Sequence, residues 1–274
     1  MLNAGTAAPE GVWQGGDYLV DGVPYHLVDF LDIDKSFDVS KFCDAAREIE
    51  AAANGPLIFA GGTGMYLQGF FSGMDALPQA DAALRARLKA EAGQKGKAHL
   101  HARLAEVDAL SAAQIPPGNI QRVMRALEIF LLTGKPASQL RTGKFAASIP
   151  PQKAFFVYLN WDKELLNQRI AVRTELIFEP MVKEARSAIA AGYAADCPGL
   201  KSLGYREALA YLEGKMSAAQ AKERIATLTR QYAKRQRTWF ARYKEKYSVD
   251  INTPQDFDID ILAQRIFEKW KKQP

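Results

Sequence analysis

Three segments of the sequence carry residue types that could bind a phosphate-rich ligand. The first is the turn Gly61-Gly-Thr-Gly64, which follows a short apolar run. A glycine turn at the carboxyl end of a buried parallel strand is a frequent ligand site, because backbone N–H groups and helix amino termini converge there. Thr63 would add a hydroxyl group to such a crevice. A tight turn that simply needs glycine's conformational freedom explains the same pattern, so both interpretations stay open.

The second segment is residues 121–128, which read QRVMRALE and have the apolar spacing of a helix. Arg122 and Arg125 would lie on the flanks of the apolar face. Two arginines three residues apart can hold a phosphate or a carboxylate through paired N–H groups. The alternative is a solvated helix face whose arginines pair with Glu128, and chemistry alone does not separate the two.

The third segment is residues 221–246, which contain nine Lys or Arg residues and only two acids. It accounts for the basicity of the chain, whose net charge is +5 and whose pI is about 9.1. Apolar residues follow one side of the predicted helix, and Arg230, Lys234 and Arg237 lie on roughly the opposite side. A charge run is usually a solvated face, but this one lacks the acids that normally balance it. The pattern therefore favours a nucleic acid or polyphosphate partner.

The elements that would position these segments alternate between strands and helices, which is typical of an α/β fold. Residues 1–22 read as a loop, and Pro180 is expected to kink or divide a long helix. We predict three domains: a partial α/β core (1–80), a helical insertion (81–140) and a return to the core with basic carboxyl-terminal helices (141–274). The predicted strands are residues 25–31, 57–60 and 154–160, and the main predicted helices are 36–53, 81–134 with a break at 116–118, 163–191 and the basic helix that opens at the Ser217–Gln220 capping box.

The composition excludes several classes of protein. The chain has 274 residues, of which 48% are hydrophobic and 24% charged, as in an ordinary globular protein. No apolar run is long enough to span a membrane, and the first ten residues do not resemble a signal peptide. Two cysteines and three histidines without ligand spacing predict neither a disulfide framework nor a metal site built from these residues. We expect a cytoplasmic protein.

Taken together, eight segments in order resemble the tRNA dimethylallyltransferase family along nearly the whole chain. Residues 61–66 (GGTGMY), residues 121–128 and above all residues 229–240 (TRQYAKRQRTWF) carry the resemblance. The others are residues 5–9 (GTAAP), 24–29 (PYHLVD), 77–81 (LPQAD) with Arg85, 132–136 (LTGKP) and 204–207 (GYRE).

The resemblance implies a P-loop NTPase-like parallel sheet core with a helical insertion that grips the anticodon stem-loop of tRNA. The family transfers a dimethylallyl group from dimethylallyl diphosphate to N6 of the adenosine next to the anticodon, assisted by Mg²⁺. By position, Thr63, Arg85 and residues 121–125 match family residues that contact tRNA. With the cationic side of the basic helix, the predicted tRNA-binding residues are Thr63, Arg85, Gln121, Arg122, Val123, Met124, Arg125, Arg230, Lys234 and Arg237.

The chain departs from the family's pattern at its amino terminus. The family opens with a strand and a Gly-x-x-x-x-Gly-Lys-Ser/Thr loop that cradles the diphosphate. An Asp-Ser-x-x-x-Tyr segment with the general-base aspartate follows. This sequence begins beyond both, so we expect an amino-terminally truncated core with no catalytic base and no diphosphate-binding loop. A second departure is Glu179-Pro180, where the family usually continues as uninterrupted helix.

Three explanations compete. Met1 is an internal methionine of a longer enzyme, or the chain is a catalytically inactive remnant that binds tRNA, or it is a basic α/β scaffold that never had this chemistry. We expect a monomer that is destabilised or prone to aggregate, since a missing strand would expose a sheet edge.

Overall fold

The structure is a computed structural model that describes residues 2–6, 8–143 and 154–272. Residues 1 and 7 of the predicted amino-terminal loop lie outside the described residues. So do residues 144–153 and 273–274 of the predicted third domain.

The chain forms two compact units, one from residues 1–67 and 149–274 and one from residues 68–148. The predicted helical insertion, residues 81–140, lies inside the second unit. In chain order the elements are β1 (Val12–Gln14), β2 (Asp17–Val20), β3 (Val23–Tyr25), α1 (Val39–Ala52), α2 (Gly64–Ser72), α3 (Ala82–Lys95), α4 (Lys97–Val107), α5 (Ala109–Gln114), α6 (Ile120–Thr133), α7 (Ala137–Leu140), β4 (Val157–Trp161), α8 (Lys163–Ala190), α9 (Tyr205–Leu212), α10 (Ala218–Phe240), β5 (Tyr247–Ile251) and α11 (Ile259–Lys271), with short 3₁₀ helices at Gly199–Lys201 and Pro254–Phe257.

The core of the first unit lies between helices α8, α9 and α10. Phe178, Met181, Tyr205 and Ile225 are each at most 1% exposed there. Helix α10 begins at the predicted capping box, in which the Ser217 side chain accepts from the N3 backbone and the N3 side chain accepts in return. Such a cap satisfies two backbone N–H groups that the helix cannot satisfy itself.

The parallel sheet of the first unit consists of two strands, β4 and β5. Their register runs from Val157 opposite Tyr247 to Trp161 opposite Ile251. Ile251 is fully buried, as expected for a parallel strand covered by helices. The fold is therefore α/β with a small parallel sheet and many helices, which confirms the coarse fold class predicted from the sequence.

The prediction of a buried strand at residues 57–60 is wrong. This segment has no regular secondary structure, and Ile58 is 93% exposed. An apolar run forms a strand only where a neighbouring strand accepts its hydrogen bonds and a packed layer covers it. The described residues provide no strand partner for this run.

Residues 12–25 form a three-stranded antiparallel sheet where the sequence had predicted a loop followed by a strand at 25–31. Each hairpin has a two-residue loop, Gly15-Gly16 or Asp21-Gly22, with positive φ at both positions. This is the type I′ geometry that suits the twist of paired strands. The predicted strand at 25–31 is wrong beyond Tyr25, because Leu27 and Asp29 also have positive φ.

Two helix predictions had different outcomes. Helix α1 forms as predicted, with Asp38 as its cap accepting from the N–H groups of Ser40 and Lys41. The expected division of helix α8 at Pro180 is wrong, because α8 continues through this residue as one 28-residue helix; the alternative, a kink, stays a prediction.

The described residues of the second unit contain helices and no strand, and residues 73–81 join α2 to α3 without regular secondary structure. Helices α3, α4 and α6 enclose a core in which Leu88, Leu100, Leu104 and Leu127 are at most 1% exposed. Asp108 caps α5 by accepting from the N–H of Ser111. The apolar stripe of each helix faces this core, which explains how a segment without a strand remains folded.

Replacing Phe178 with alanine tests the packing of the first core. The side chain is fully buried against Tyr211, so we expect Phe178→Ala to lower the free energy of unfolding by about 3–5 kcal/mol. Leu176 lies two residues away on the same helix and is 71% exposed, so Leu176→Ala should change stability by at most about 0.5 kcal/mol. Urea unfolding followed by circular dichroism measures both. Equal losses would show that the helix faces are wrongly assigned.

Candidate nucleic-acid interface

The glycine turn at residues 61–64 packs directly against helix α10. The Gln236 side chain donates to the backbone oxygen of Gly62 over 3.2 Å. A Cβ atom at Gly64 would lie 2.2 Å from the indole ring of Trp239, closer than real Cβ contacts. The close approach of two elements therefore requires glycine at position 64.

Thr63 lies exposed at the amino terminus of α2, within this turn. Its backbone oxygen accepts from the N–H of Tyr66 over 2.9 Å, which closes the first helical turn. The hydroxyl side chain is thus held at the surface by backbone contacts on either side of it. The structure contains the packing requirement of the turn. A ligand contact here is supported by the exposed Thr63 alone, because the buried strand expected before the turn does not form.

The three predicted cations of α10 differ in their surroundings. Arg230 is half-buried and pairs with Glu223 over 2.7 Å. Arg237 is exposed and donates to the backbone oxygen of Trp161, at the end of β4, over 2.9 Å. Lys234 is exposed and forms no ion pair within the described part of the chain. Of the three, Lys234 is the cation most available to an external anion.

Other basic side chains of α10 and the turn after it lie over aromatic rings. The Arg242 guanidinium is 4.0 Å from the centre of the Trp239 ring, and that of Arg235 is 5.6 Å from the Tyr232 ring. Such contacts retain the positive charge while they restrict the side chain. The helix thus combines a packed aromatic side with ordered cations.

In the second unit, Arg85 and Arg125 converge on one buried carboxylate, that of Glu128. Arg85 donates through Nε and Nη2 over 2.8 and 3.0 Å, and Arg125 donates through Nη1 over 2.5 Å. The backbone N–H of Asp81 is a further donor at 2.9 Å. Of the two arginines on this helix, Arg125 pairs with Glu128, as one of the two alternatives from the sequence expected. The pair does not lie on a solvated face, because Glu128 is buried.

Residues 121–125 do not all reach the surface. Gln121 and Arg122 are exposed, whereas Val123 is fully buried and Met124 is 9% exposed. The helical period places positions 123 and 124 toward the leucine core of the unit. The side chains of Val123 and Met124 therefore pack in the interior, while Gln121 and Arg122 lie at the surface of α6. Contact of residues 121–125 with tRNA stays a prediction.

The amino-terminal segment is anchored to α8 and α9. The Glu184 carboxylate accepts from the N–H groups of Asn3 and Ala4 over 2.9 and 3.0 Å, and from the Tyr205 hydroxyl over 2.5 Å. The same hydroxyl accepts from the N–H of Gly5 over 3.0 Å. Burial and the hydrogen bond to Glu184 raise the pKa of Tyr205 far above its ordinary value. Two of the family-like segments, at residues 5–9 and 204–207, therefore meet in space.

The described residues contain no group of three or more His, Cys, Asp or Glu side chains arranged to hold a metal ion. No residue is therefore assigned to the Mg²⁺ that the resemblance implies. Among these residues no helix is both long and apolar enough to cross a membrane.

Sequence reasoning missed the residues that hold the glycine turn and the amino terminus. Gln236 and Trp239 belong to the most specific family-like segment, but their spacing of three suggested only a helix face. The role of Glu184 has no sequence signal, since it depends on contacts across about 180 positions of the chain.

Comparison with known proteins shows which family this chain belongs to. A model of the family described as IPP transferase matches residues 2–243. The tRNA dimethylallyltransferase of Elusimicrobium minutum is 53% identical over 277 residues, which cover 99% of this chain and 87% of that protein. The chain belongs to the IPP transferase family.

Further relatives and solved structures agree with this membership. The tRNA dimethylallyltransferase of Geobacter sulfurreducens is 36% identical over 97% of this chain and 84% of its own length. The full-length tRNA isopentenylpyrophosphate transferase of Bacillus halodurans is similar in structure, with a TM-score of 0.55 and 31% identity over 92% of this chain and 81% of that one. The fold of this IPP transferase is thus one already seen in the family.

Alanine at position 64 tests the contact between the turn and helix α10. Its Cβ would overlap the rigid Trp239 ring, so we expect Gly64→Ala to destabilise the protein by about 1–3 kcal/mol. Gly55 precedes the same segment and a Cβ there meets nothing within 4 Å, so Gly55→Ala is the matched control. Urea unfolding of both variants measures the difference. A neutral Gly64→Ala would contradict the packing described.

The pH dependence of stability tests the Glu128 cluster. Burial raises the pKa of Glu128, but the hydrogen bonds from Arg85 and Arg125 outweigh it and hold this pKa below its ordinary value of 4.5. A carboxyl with a lowered folded pKa stabilises the protein above its unfolded pKa, and this contribution is lost as pH falls through the folded value. Urea unfolding between pH 6 and 3 should show such a loss. Glu128→Gln should remove part of this loss, leaving the part due to the other carboxyls whose pKa is lowered, among them the buried Asp108.

Proposed function

We propose that this IPP transferase modifies tRNA by transferring a dimethylallyl group from dimethylallyl diphosphate to N6 of the adenosine next to the anticodon. The observation that carries the proposal is the 53% identity to a tRNA dimethylallyltransferase over 99% of the chain. In this reaction N6 forms a bond to C1 of the donor, the C1–O bond to diphosphate breaks, and N6 loses one proton. The adenosine must leave its stack, since enzymes that act on a base within a stem or loop extrude it into a pocket.

Each unit contributes exposed groups suited to RNA. The second unit, which contains the proposed tRNA-gripping insertion at residues 81–140, presents Gln121, Arg122 and the half-exposed Arg85. The first unit presents Thr63 and the cations of α10. Arginine and lysine side chains contact the phosphates of nucleic acids. Each such contact releases a condensed counterion, which favours binding.

The diphosphate-binding loop and the catalytic base remain predictions. The resemblance implies that an active enzyme holds both in a P-loop-type core. A Mg²⁺ ion would assist the departure of the diphosphate by neutralising its charge. The exposed cations of the described residues would bind the RNA.

Transfer of label from dimethylallyl diphosphate to an anticodon stem-loop tests the function. The chain is assayed beside a version extended upstream through any phosphate-binding loop, and a stem-loop with guanosine in place of the target adenosine is the control. We expect transfer to the adenosine stem-loop and none to the control, and the two versions together show whether residues outside the given sequence take part. RNA binding without transfer by either version would overturn the function in favour of an inactive RNA-binding protein.

A charge substitution on α10 tests the RNA surface of the first unit. Lys234→Gln should weaken binding of the stem-loop at low salt and reduce the slope of log Kd against log salt by roughly 0.7–0.9, the value for one phosphate contact. Lys35 is also an exposed lysine of this unit, but it pairs with Asp34, so Lys35→Gln is the control. A slope that is unchanged by Lys234→Gln, or changed equally by both variants, would remove Lys234 from the RNA surface.

A further inference from the structure

The carboxylate of Glu128 is the most completely enclosed charged group described in the second unit. Its side chain is 0% exposed. Each of its oxygens accepts two hydrogen bonds: one from Arg85 Nε and the Asp81 backbone, the other from Arg85 Nη2 and Arg125 Nη1. A buried carboxylate with four donors is fully satisfied and holds those donors in fixed directions.

The two arginines that meet at Glu128 are not equivalent. Arg125 is 28% exposed, and its second terminal nitrogen donates to the backbone oxygen of Pro78 over 2.6 Å. Arg85 is 48% exposed, and among the described residues no hydrogen bond occupies its Nη1. Both terminal nitrogens of Arg125 are therefore used in contacts within the protein. Arg85 binds Glu128 through Nε and Nη2, while its Nη1 remains available to a ligand at the surface.

A guanidinium that is anchored through two of its nitrogens differs from a free arginine on a helix. A free side chain must lose its rotamer freedom when it binds a phosphate, whereas an anchored one has lost it on folding. The planar fork also fixes the direction of the remaining N–H groups, which a lysine ammonium group would not do. The other nearby carboxylate, that of Asp81, accepts from the backbone N–H of Leu84 at the start of α3.

We propose that Glu128 is a positioning residue for RNA recognition, whose buried carboxylate orients Arg85 to bind a backbone phosphate of the RNA. The inference rests on the proposed function, because it takes tRNA as the ligand. It adds that an acidic residue, which itself repels RNA, is required for tight RNA binding.

A second buried carboxylate in the same unit provides a matched control. Asp108 is 3% exposed and accepts from the backbone N–H groups of Ser111 and Ser138 over 3.0 and 2.9 Å. It stabilises helix starts and contacts neither arginine. We expect Asp108→Asn, like Glu128→Gln, to lower the melting temperature, but to change the affinity for RNA by no more than about twofold.

The test is a double-mutant cycle on binding of the adenosine-bearing anticodon stem-loop by the full chain, with Kd measured at several salt concentrations. We expect Glu128→Gln and Arg85→Ala each to weaken binding about tenfold, and the double variant to bind no more weakly than Arg85→Ala alone. Arg85→Lys keeps the charge but loses the fork, so it should behave more like Arg85→Ala than like the parent chain. If Glu128→Gln does not fold, Glu128→Asp replaces it in the binding measurement. Glu128→Asp keeps the charge on a shorter side chain, and it should also weaken RNA binding.

A readout without RNA separates this inference from the proposed function. The Nε–H proton of Arg85 should exchange slowly with water in NMR spectra of the parent chain and rapidly in Glu128→Gln, while Asp108→Asn leaves it slow. If the parent chain does not bind the stem-loop, the proposed function and the inference both fail, even with a slow Arg85 proton. If it binds, three results would overturn the inference alone. The first is an unchanged Kd in Glu128→Gln, and the second is a loss of affinity from Glu128→Gln that is as large in the Arg85→Ala background as in the parent chain. The third is a loss of affinity in Asp108→Asn equal to that in Glu128→Gln.

Discussion

Helix α10 is constrained on several sides at once, and the first unit depends on that constraint. Its inward residues, including Ile225, complete the core with α8 and α9, while Gln236 and Trp239 receive the glycine turn. Arg237 reaches the end of β4 through the backbone oxygen of Trp161. One amphipathic helix therefore fixes the core, the small sheet and the turn relative to each other, and any change in its rotation would disturb all three.

The helices could be predicted from sequence because their signals are local. The predicted Ser217 capping box acts within a few residues and is present, and the Asp38 cap that the structure reveals is equally local. Strands depend on partners elsewhere in the chain, which is why the apolar run at residues 57–60 was misassigned. The hairpins at Gly15-Gly16 and Asp21-Gly22 had a readable signal in their dipeptides, but the poor apolar periodicity of the surrounding residues concealed it.

For the candidate site, residue types were easier to predict than the contacts those residues make. The sequence singled out Arg85 and Arg125, and pairing with Glu128 was one of the alternatives for the helix that carries Arg125. That both arginines share one carboxylate depends on the packing of α3 against α6 across 43 positions of the chain. The same packing directs Val123 and Met124 inward, so a run of five candidate residues separates into surface and interior positions.

The glycines of the turn at residues 61–64 differ in how strictly the packing against helix α10 requires them. Position 64 excludes every side chain because an indole ring occupies the space, whereas a side chain at position 62 would only displace the flexible amide of Gln236. The glycine at position 64 thus reflects how two distant segments pack together. The Thr63 side chain is exposed, so replacing this threonine while keeping Gly64 and Trp239 would retain the packing and change the surface of the turn.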